Sequence, residues 1–467
     1  MVAARSPSQP VYAPAPPALW MAGAPEAKAE MRAIDGRMAA GVMRFVTYRF
    51  PGLCRLGLLI GAGGNGRQAM ALAGRYRETG IQVTLVRPGD TIDAEGLRAC
   101  DVLIDGLIGT GLHGPLSAPY REQIGRAHAS GRPIVALDAP TGLDLGTGHG
   151  QPGAMRADYT LFCGGAKIGA LTGAGRALCG TTATIDVGRP YPAGYLRALV
   201  PGDRDLCALL APRPATMHKG DAGTLVVVGG GMGMPGAVRL AALAAYRAGT
   251  GLVVAGVHED NAGVLAAAFP ECMAFGVSSP ALPWGRAQAL LVGPGLGRGD
   301  WARDAWQQAR GLGQAMVVDG DGLYWLAHAP ESRKDWVLTP HEGEAARLLG
   351  VTRAEVAADR PRAAVELQRR YGGVCVLKGA GTLVAGGDIL WLCPFGNPGM
   401  ATAGMGDVLA GTIAGLMAQG LSGLSAARLG TFVHARAGDL AVAGGPPRGL
   451  LASDVASELR AVLGGLC

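Results

Sequence analysis

One acidic residue, Asp407, stands in the glycine-rich segment Gly396–Gly411, which reads GNPGMATAGMGDVLAG. Glycines let the backbone turn its N–H groups toward a ligand, and a helix beginning near Asp407 would add the positive end of its dipole. This combination suits a polyanion such as a nucleotide phosphate. A lone carboxylate there can serve as a general base toward the group that accepts the phosphate. The alternative is a structural turn in which Asp407 only caps the helix.

Three further segments with chemistry-bearing residues follow predicted strands in the second half of the chain. Gly293–Gly297 reads GPGLG and lets a ligand approach the backbone closely. Thr339–Glu344 reads TPHEGE and places His341 at a strand end, although a single histidine there is more often structural. Lys378–Thr382 reads KGAGT and resembles a turn wrapped over a phosphate or an adenosine. Each segment is weak evidence alone, but the four together predict a nucleotide site.

The first half of the chain carries three polar loops of its own. They are Gly61–Ala69 (GAGGNGRQA), Asp105–Pro115 (DGLIGTGLHGP) and Asp138–Asp144 (DAPTGLD). Each loop follows a short apolar run typical of a buried strand. Because ligands of parallel α/β sheets bind beyond the carboxyl ends of the strands, these loops predict a second site.

Short apolar runs alternate with helical patterns in both halves, which predicts doubly wound parallel sheets. We expect an α/β protein of two three-layer αβα domains, with boundaries at 25–200 and 201–467. The Pro- and Arg-rich passage Gly188–Pro214 is interpreted as the connection between them. The uncharged run Val408–Ala427 is interpreted as a buried helix with the start of its connection, because its apolar residues follow helical spacing.

Composition excludes several classes of protein. The 467 residues are 49% hydrophobic and 17% charged, which excludes a disordered chain, and the 77 glycines have no collagen period. The net charge of +6 comes without basic runs interleaved with aromatics, so we expect no nucleic-acid partner. The odd number of cysteines, nine, without CxxC spacing favours a reducing compartment. With an N-terminal segment that lacks a signal-peptide core, this predicts a cytoplasmic protein without a membrane anchor.

In their order along the chain, the four segments of the second half resemble the ADP- or ATP-dependent NAD(P)H-hydrate dehydratase family, which has a ribokinase-like fold. The resemblance begins near Pro212, includes HKGDAGTLVVVGG, and continues to the C-terminus. It implies that a nucleotide phosphorylates the C6 hydroxyl of hydrated NAD(P)H, that phosphate then departs, and that Asp407 accepts the hydroxyl proton. Mg²⁺ is implied with the nucleotide, held mostly by phosphates and water. The residues implied to bind the substrate are Ala237, Gly295, His341 and Asp407; those implied to hold the adenine nucleotide are Lys378, Gly379, Ala380, Gly381, Thr382 and Gly406.

The first half resembles the Rossmann-like NAD(P)H-hydrate epimerase domain that is often fused ahead of this dehydratase. DVLIDGLIGTGLHGPL, IVALDAPTGLD and GGAKIGAL carry the resemblance between about Met31 and Val187. It implies a potassium ion on Asn65, Asp105 and Thr141, whose oxygen atoms suit a hard monovalent cation. The residues implied to bind substrate are Gly109, Thr110, Gly111, Leu112, His113, Gly114, Pro115 and Asp138.

The glycine loop Gly61–Ala69 departs from the family pattern GxGNNGGDG. Gly64 stands for the first Asn, Arg67 for a Gly and Gln68 for the Asp. In addition, the helix expected before this loop is interpreted as missing or shortened. A lost acid and a gained cation would alter charge and crowding beside a bound dinucleotide, so epimerase activity is expected to be reduced or lost while the fold persists.

The leading hypothesis is a bifunctional repair enzyme that acts on small-molecule nucleotides, and the resemblance implies a homo-oligomer. One alternative is a dehydratase alone, with a degenerate, non-catalytic N-terminal domain that only binds a ligand. Another is a ribokinase-like small-molecule kinase, such as a hydroxymethylpyrimidine or hydroxyethylthiazole kinase. The TPHEGE and GNPGMATAGMGD segments disfavour the kinase.

Overall fold

The structure, a computed structural model, describes residues 8–12, 27–188 and 196–466, and the side chains of all of these except residues 27–32. The chain divides into two compact units. One is Pro10–Ala198, and the other combines Leu199–Cys467 with Met1–Gln9. We describe each unit by itself.

The first unit is built on a six-stranded parallel sheet in the order β3-β2-β4-β5-β6-β8. A short pair outside it joins β1 to β7 in parallel. The strands are β1 (Gln9–Tyr12), β2 (Arg55–Ile60), β3 (Gln82–Val86), β4 (Val102–Gly106), β5 (Ile134–Leu137), β6 (Tyr159–Cys163), β7 (Ala166–Lys167) and β8 (Thr181–Ile185). The helices are α1 (Ala27–Arg49), α2 (Gly64–Glu78), α3 (Ala94–Arg98), α4 (Ala118–Ala129) and α5 (Ala174–Leu178).

Alternate residues of these strands enter two separate cores, one on each face of the sheet. Leu58 of β2 packs in the core that α1 and α2 cover, whereas its neighbour Leu59 packs in the core that α3 and α4 cover. This alternation is the period-two pattern of a strand buried on both sides. The predicted three-layer arrangement is therefore confirmed for this unit.

The second unit contains a sheet in the order β12-β11-β10-β13-β14-β15-β16-β17-β18. It is parallel through β16, after which β17 and β18 return antiparallel. The strands of this part of the chain are β9 (Leu196–Val200), β10 (Thr224–Val228), β11 (Leu252–Val257), β12 (Met273–Gly276), β13 (Ala289–Val292), β14 (Met316–Val318), β15 (Trp336–Leu338), β16 (Val374–Leu377), β17 (Thr382–Ala385) and β18 (Leu390–Cys393). The helices are α6 (Asp203–Cys207), α7 (Pro235–Arg247), α8 (Glu259–Ala268), α9 (Asp300–Arg310), α10 (Gly320–His328), α11 (Glu342–Leu349), α12 (Arg353–Ala358), α13 (Arg360–Tyr371), α14 (Met405–Ala418), α15 (Gly423–Ala441) and α16 (Ala452–Leu466).

Helices α7 and α14 pack unusually closely in this unit. A Cβ added to Gly411 of α14 would lie 2.1 Å from the carbonyl oxygen of Ala241 in α7, and one added to Gly404 would lie 2.5 Å from Leu240. Apolar residues of α15 and α16 share one core with those of α7 and α14. The glycines therefore bring the two helix backbones into contact.

The passage Gly188–Pro214 includes the division between the two units, and it also contains β9 and α6, which were not expected. The helix before the first glycine loop is not missing, because α1 runs for 23 residues. By contrast, the prediction of a buried helix at Val408–Ala427 is confirmed: α14 is buried, and α15 begins within the run.

Two further observations concern the membrane and the cysteines. No helix of the described residues combines the length and apolarity that a bilayer crossing needs. Seven cysteines are free thiols, whereas Cys207 is disulfide-bonded, which the sequence did not predict.

Candidate active sites

Asp407 lies in the first turn of α14 and does not cap it. The N-cap is Gly404, whose φ of 89° only glycine adopts readily, and no side chain caps the helix. The helix begins two residues before Asp407, as the sequence predicted, and its first N–H groups remain without a side-chain cap. The interpretation of Asp407 as a structural cap is therefore wrong.

A buried ion pair lies directly against the first turn of α14, at Gly406. The Nζ of Lys378 is 2.6 Å from Oδ1 of Asp319, whose exposed fraction is 3%. The same Oδ1 accepts a hydrogen bond of 2.7 Å from the hydroxyl of Thr339. A Cβ on Gly406 would stand 3.2 Å from that Nζ and 3.5 Å from Oδ2 of Asp319. Glycine at 406 thus leaves room between the loop and the pair.

Two more carboxyl groups surround Lys378. Burial, together with the charge of Asp319, raises the pKa of Asp407 to about 7, although Lys378 lowers it. Burial likewise raises the pKa of Glu344 to about 7, and its Oε2 lies 3.8 Å from Nζ of Lys378. Burial lowers the pKa of Lys378, but Asp319 and Glu344 outweigh burial and raise it overall. The cluster can therefore exchange a proton near neutral pH.

His341 has a structural role and retains an open side. Its Nδ1 accepts hydrogen bonds from the N–H groups of Gly343 and Glu344, while Glu344 accepts one from the N–H of His341. This capping box starts α11. The side chain is nevertheless 60% exposed, and burial is the main cause that lowers its pKa, so a neutral imidazole faces the site.

The KGAGT segment is the tight turn between β16 and β17. The exposed Gly379 and Ala380 stand at its tip. Behind the turn, the buried guanidinium of Arg360 donates to the carbonyl oxygens of Leu377 and Lys378 and pairs with Glu342 at 2.7 Å. A Cβ on Gly379 would lie 2.9 Å from that guanidinium. Arg360 therefore fixes the shape of the turn from inside.

The loop of β13 and the start of α7 meet beside these groups. Gly295 has a φ of 55°, and a Cβ added there would lie 3.1 Å from the Cβ of Ala237. At Gly293 an added Cβ would lie 1.8 Å from the carbonyl oxygen of Asp319. The structure thus brings Ala237 beside Gly295 and gathers His341, Lys378, Gly406 and Asp407 around Asp319.

Sequence reasoning did not select Asp319 or Arg360. Asp319 was identified only as the end of a predicted strand, because a single acid there resembles an ordinary helix cap. Arg360 has no local signal, since it reaches the turn from a helix that begins 18 residues earlier.

In the first unit, a cavity of about 290 Å³ opens above the carboxyl ends of the strands. Asn65 and Asp138 line it together with the loop residues Gly109, Thr110 and Gly111. Four other residues implied to bind substrate do not line it: Leu112, His113, Gly114 and Pro115.

A second Lys–Asp pair forms part of this cavity wall. The Nζ of Lys167 is 2.5 Å from Oδ1 of Asp138 and donates to the carbonyl oxygen of Cys163. Asp138 has a φ of 63°, the one positive φ of a non-glycine residue among the described residues. Such strain persists where the surroundings fix it, often at functional sites. Sequence reasoning gave Lys167 no role, although it lies in the GGAKIGAL segment that carries the family resemblance.

Asp105 and Thr141 lie behind the cavity wall and are fully buried. Thr141 donates to Asp105 from its backbone N–H at 2.8 Å and from its hydroxyl at 2.7 Å. Burial raises the pKa of Asp105 to about 6. The side-chain amide of Asn65 donates to the carbonyl oxygen of Leu137 and lies against Gly109, where an added Cβ would be 2.3 Å from its oxygen.

The glycine loop that departs from pattern also lines the cavity. Arg67 and Gln68 both face Asp35 of α1: the Nε of Arg67 lies 4.0 Å away, and the Nε2 of Gln68 donates at 3.4 Å. Asp35 itself lines the cavity and is 17% exposed. The cavity therefore contains a carboxylate beside Arg67 and Gln68. It belongs to Asp35 of α1, the helix that precedes the glycine loop, and not to the loop itself.

Comparisons with known proteins cover both units. A family model described as NAD(P)H-hydrate dehydratase matches residues 225–460. A model described as YjeF-related protein N-terminus matches residues 87–169, which begin after the glycine loop Gly61–Ala69.

Relatives span most of the chain. The bifunctional NAD(P)H-hydrate repair enzyme of Coxiella burnetii is 36% identical over 91% of this chain and 94% of the relative. The enzyme of that name from Vibrio cholerae is 42% identical over 78% of this chain and 75% of its own. That from Escherichia coli is 37% identical over 87% and 84%.

Solved structures share the fold of the second unit. The ADP/ATP-dependent NAD(P)H-hydrate dehydratase of Bacillus subtilis, co-crystallised with ATP/Mg²⁺, is 28% identical with a TM-score of 0.52, covering 57% of this chain and 97% of that one. A ribokinase-like superfamily protein of Enterococcus faecalis is 26% identical with a TM-score of 0.54, covering 60% and 99%. The predicted ribokinase-like and Rossmann-like fold class is confirmed. The chain belongs to the family of bifunctional NAD(P)H-hydrate repair enzymes.

Proposed function

We propose that this chain dehydrates S-NAD(P)H hydrate with ADP or ATP in the domain 201–467 and epimerises the R and S hydrates in the domain 25–200. The observation that carries the proposal is the buried group of Asp319, Glu344, Lys378 and Asp407 beneath an uncapped helix N-terminus. This arrangement supplies a cation, a proton acceptor and backbone N–H donors at one place.

In the dehydratase site, the C6 hydroxyl of the hydrate attacks the terminal phosphoryl group of the nucleotide. Asp407 takes the hydroxyl proton, and its pKa of about 7 suits a base that works near neutral pH. The ammonium of Lys378 and the N–H groups of the α14 N-terminus stabilise the charge of the transferring phosphoryl. Phosphate then leaves C6 with the bonding electrons while the lone pair of the ring nitrogen forms an N1=C6 iminium. Loss of a proton from C5 to water then forms the C5=C6 double bond of the restored ring.

Substrate and nucleotide would occupy two sides of this cluster. Ala237, Gly295 and His341 stand on the substrate side, and the turn Lys378–Thr382 with Gly406 stands on the nucleotide side. Mg²⁺, held mostly by phosphate and water oxygens, would neutralise the charge of the phosphates.

In the epimerase cavity, the bond to the C6 oxygen breaks and re-forms on the other face, and each step moves a proton. The Lys167–Asp138 pair in the cavity wall can deliver and recover that proton. The loop residues 109–111 line the same wall, and the family resemblance extends the substrate contacts through Pro115.

Potassium fits the buried carboxylate behind the wall. Asp105 is fully buried, and none of the described lysines or arginines pairs with it, so a monovalent cation would compensate its charge. Thr141 and Asn65 add neutral oxygens, which suit a hard cation. The ion would order the loops that begin at Asp105 and Asp138.

We also propose that the protein forms a homo-oligomer in the cytoplasm, which is supported by the family resemblance alone.

One assay tests both activities. Purified protein is incubated with mixed R- and S-hydrated NADH, Mg²⁺ and ADP or ATP, and NADH absorbance is followed with and without K⁺. Full conversion faster than spontaneous epimerisation is expected. Conversion of the S fraction alone would show a dehydratase without epimerase activity, and no conversion would overturn the proposal.

A further inference from the structure

We propose that Asp319 is the positioning residue of the dehydratase site, which fixes the ammonium of Lys378 at the phosphoryl position and keeps it from pairing with the base Asp407. This inference rests on the proposed dehydration. It concerns a residue to which neither the sequence motifs nor the family resemblance gives a role.

Asp319 does not cap its helix as an aspartate at this position ordinarily does. It is the N-cap residue of α10, where an Asp side chain usually accepts a backbone N–H of the first turn. Here the side chain makes no such bond. Its Oδ1 instead accepts from Lys378 at 2.6 Å and from the hydroxyl of Thr339 at 2.7 Å.

Asp319 also lies between the loops that form the site. The carbonyl oxygen of Asp319 packs against Gly293, and its Oδ2 lies 3.5 Å from the position of a Cβ on Gly406. Thr339 and Lys378 bring the two remaining loops to its Oδ1. Asp319 therefore touches all four segments that predicted the nucleotide site.

Two other acids, Glu344 and Asp407, compete with Asp319 for the ammonium of Lys378. Glu344 lies 3.8 Å from the ammonium, and Asp407 interacts with it electrostatically. Without the charge of Asp319, Lys378 would move toward those two acids and leave the phosphoryl position. A displacement of about 1 Å from a productive geometry can cost about 10²-fold in rate.

The groups facing Asp407 make this displacement measurable. They are Asp319 after β14, Glu344 from α11 and Lys378 after β16. Two histidines, His341 at the start of α11 and His434 on α15, lie near Lys378. Burial lowers the pKa of His434 to about 4, so it stays neutral near pH 7. Removing Asp319 takes away a negative charge and frees a positive one. Both changes lower the pKa of Asp407.

The test measures kcat, KM for ADP and the pH dependence of kcat/KM for S-NADH hydrate in Asp319→Asn and Asp319→Glu. We expect Asp319→Asn to lower kcat by about 10²-fold. The acid limb of kcat/KM should move by about one pH unit to lower pH, since a weaker base ionises earlier. Asp319→Glu keeps the charge and should retain the wild-type acid limb with part of the kcat.

The matched control is Asp335→Asn, which removes an acid paired with Arg333 at the opposite end of β15. It should leave kcat and the acid limb unchanged. A folded Asp319→Asn with the wild-type acid limb, or with a wild-type kcat, overturns the inference.

A second variant covers the case in which Asp319→Asn does not fold. Thr339→Val removes the hydroxyl that orients Oδ1 but no charge, so kcat should fall about tenfold with KM for ADP and the acid limb unchanged. A wild-type kcat in Thr339→Val would then overturn the inference. Wild-type protein inactive on S hydrate would instead refute the proposed function itself.

Discussion

The two units each contain a buried Lys–Asp pair at the carboxyl end of a parallel sheet, but the two pairs have different neighbours. Lys167 is 1% exposed. Its ammonium donates to the carboxylate of Asp138 and to the carbonyl oxygen of Cys163. Lys378 is 16% exposed and has Glu344 and Asp407 beside Asp319. Lys167 thus pairs with the carboxylate of Asp138, whereas three carboxyl groups surround Lys378.

That difference separates two kinds of chemistry. The Lys167–Asp138 pair can move a single proton in the cavity wall, as epimerisation requires. The acid-rich cluster around Lys378 holds protons near neutral pH and places an ammonium where it can meet the transferring phosphoryl group. Residue types alone do not distinguish the two sites; the number of acids around the lysine does.

The largest expected effect comes from removing the base of the acid-rich cluster. Asp407→Asn should lower kcat for dehydration of S hydrate by about 10²–10⁴-fold, because proton transfer from the hydroxyl is lost. Epimerisation of separated R and S hydrates should stay at the wild-type rate in the same protein. A loss of less than tenfold would show that another group is the base.

A smaller effect on the rate is expected when the Lys167–Asp138 pair of the first unit is changed. Asp138→Asn should slow epimerisation by about 10²-fold and leave dehydration unchanged, since Asn tolerates the positive φ but carries no charge. It also leaves a buried ammonium without its carboxylate, which costs about 3–5 kcal/mol of stability. The double variant Asp138→Asn with Lys167→Met should recover the melting temperature but not the epimerase rate. Recovery of both would assign the pair a purely structural role.

The acid-rich cluster should also appear in the stability of the ligand-free protein. The pKa of Asp407 rises from 3.8 unfolded to about 7 folded, so its contribution to stability is present below about pH 4 and is lost as pH rises through 7. Asp407→Asn removes this loss. Its melting temperature should therefore exceed that of wild type by more at pH 8 than at pH 5, and an equal difference at both would contradict the raised pKa.

The smallest effect concerns the acid that α1 brings to the epimerase cavity. Asp35→Asn should slow epimerisation about tenfold or less, and adding Gln68→Asp should restore it, because the carboxylate returns to the cavity from α2. Arg67→Gly serves as the control that changes the loop without changing the acid. No rescue in the double variant would mean that Asp35 does not replace the missing acid.

The comparison also shows what the sequence can predict. Loops after parallel strands were predicted because hydrophobic runs followed by glycine are local patterns. Asp319 and Lys167 were not given their roles, since each depends on a partner on another strand. Asp35 was missed because the segment before the glycine loop departs from the family pattern, so its helix was interpreted as missing or shortened. Strand β9 was missed because its neighbours are rich in Pro and Arg.

The contact of α7 with α14 limits how the second site can open and close. Gly411 and Gly404 set the two backbones against each other, so Ala237 at the start of α7 and Asp407 at the start of α14 move as one body. Any closure over a bound nucleotide must then come from the β16–β17 turn, since the GPGLG loop packs against α7 at Ala237. The base and the substrate side thus form a rigid wall of the site, and the β16–β17 turn on the nucleotide side is the part that can move.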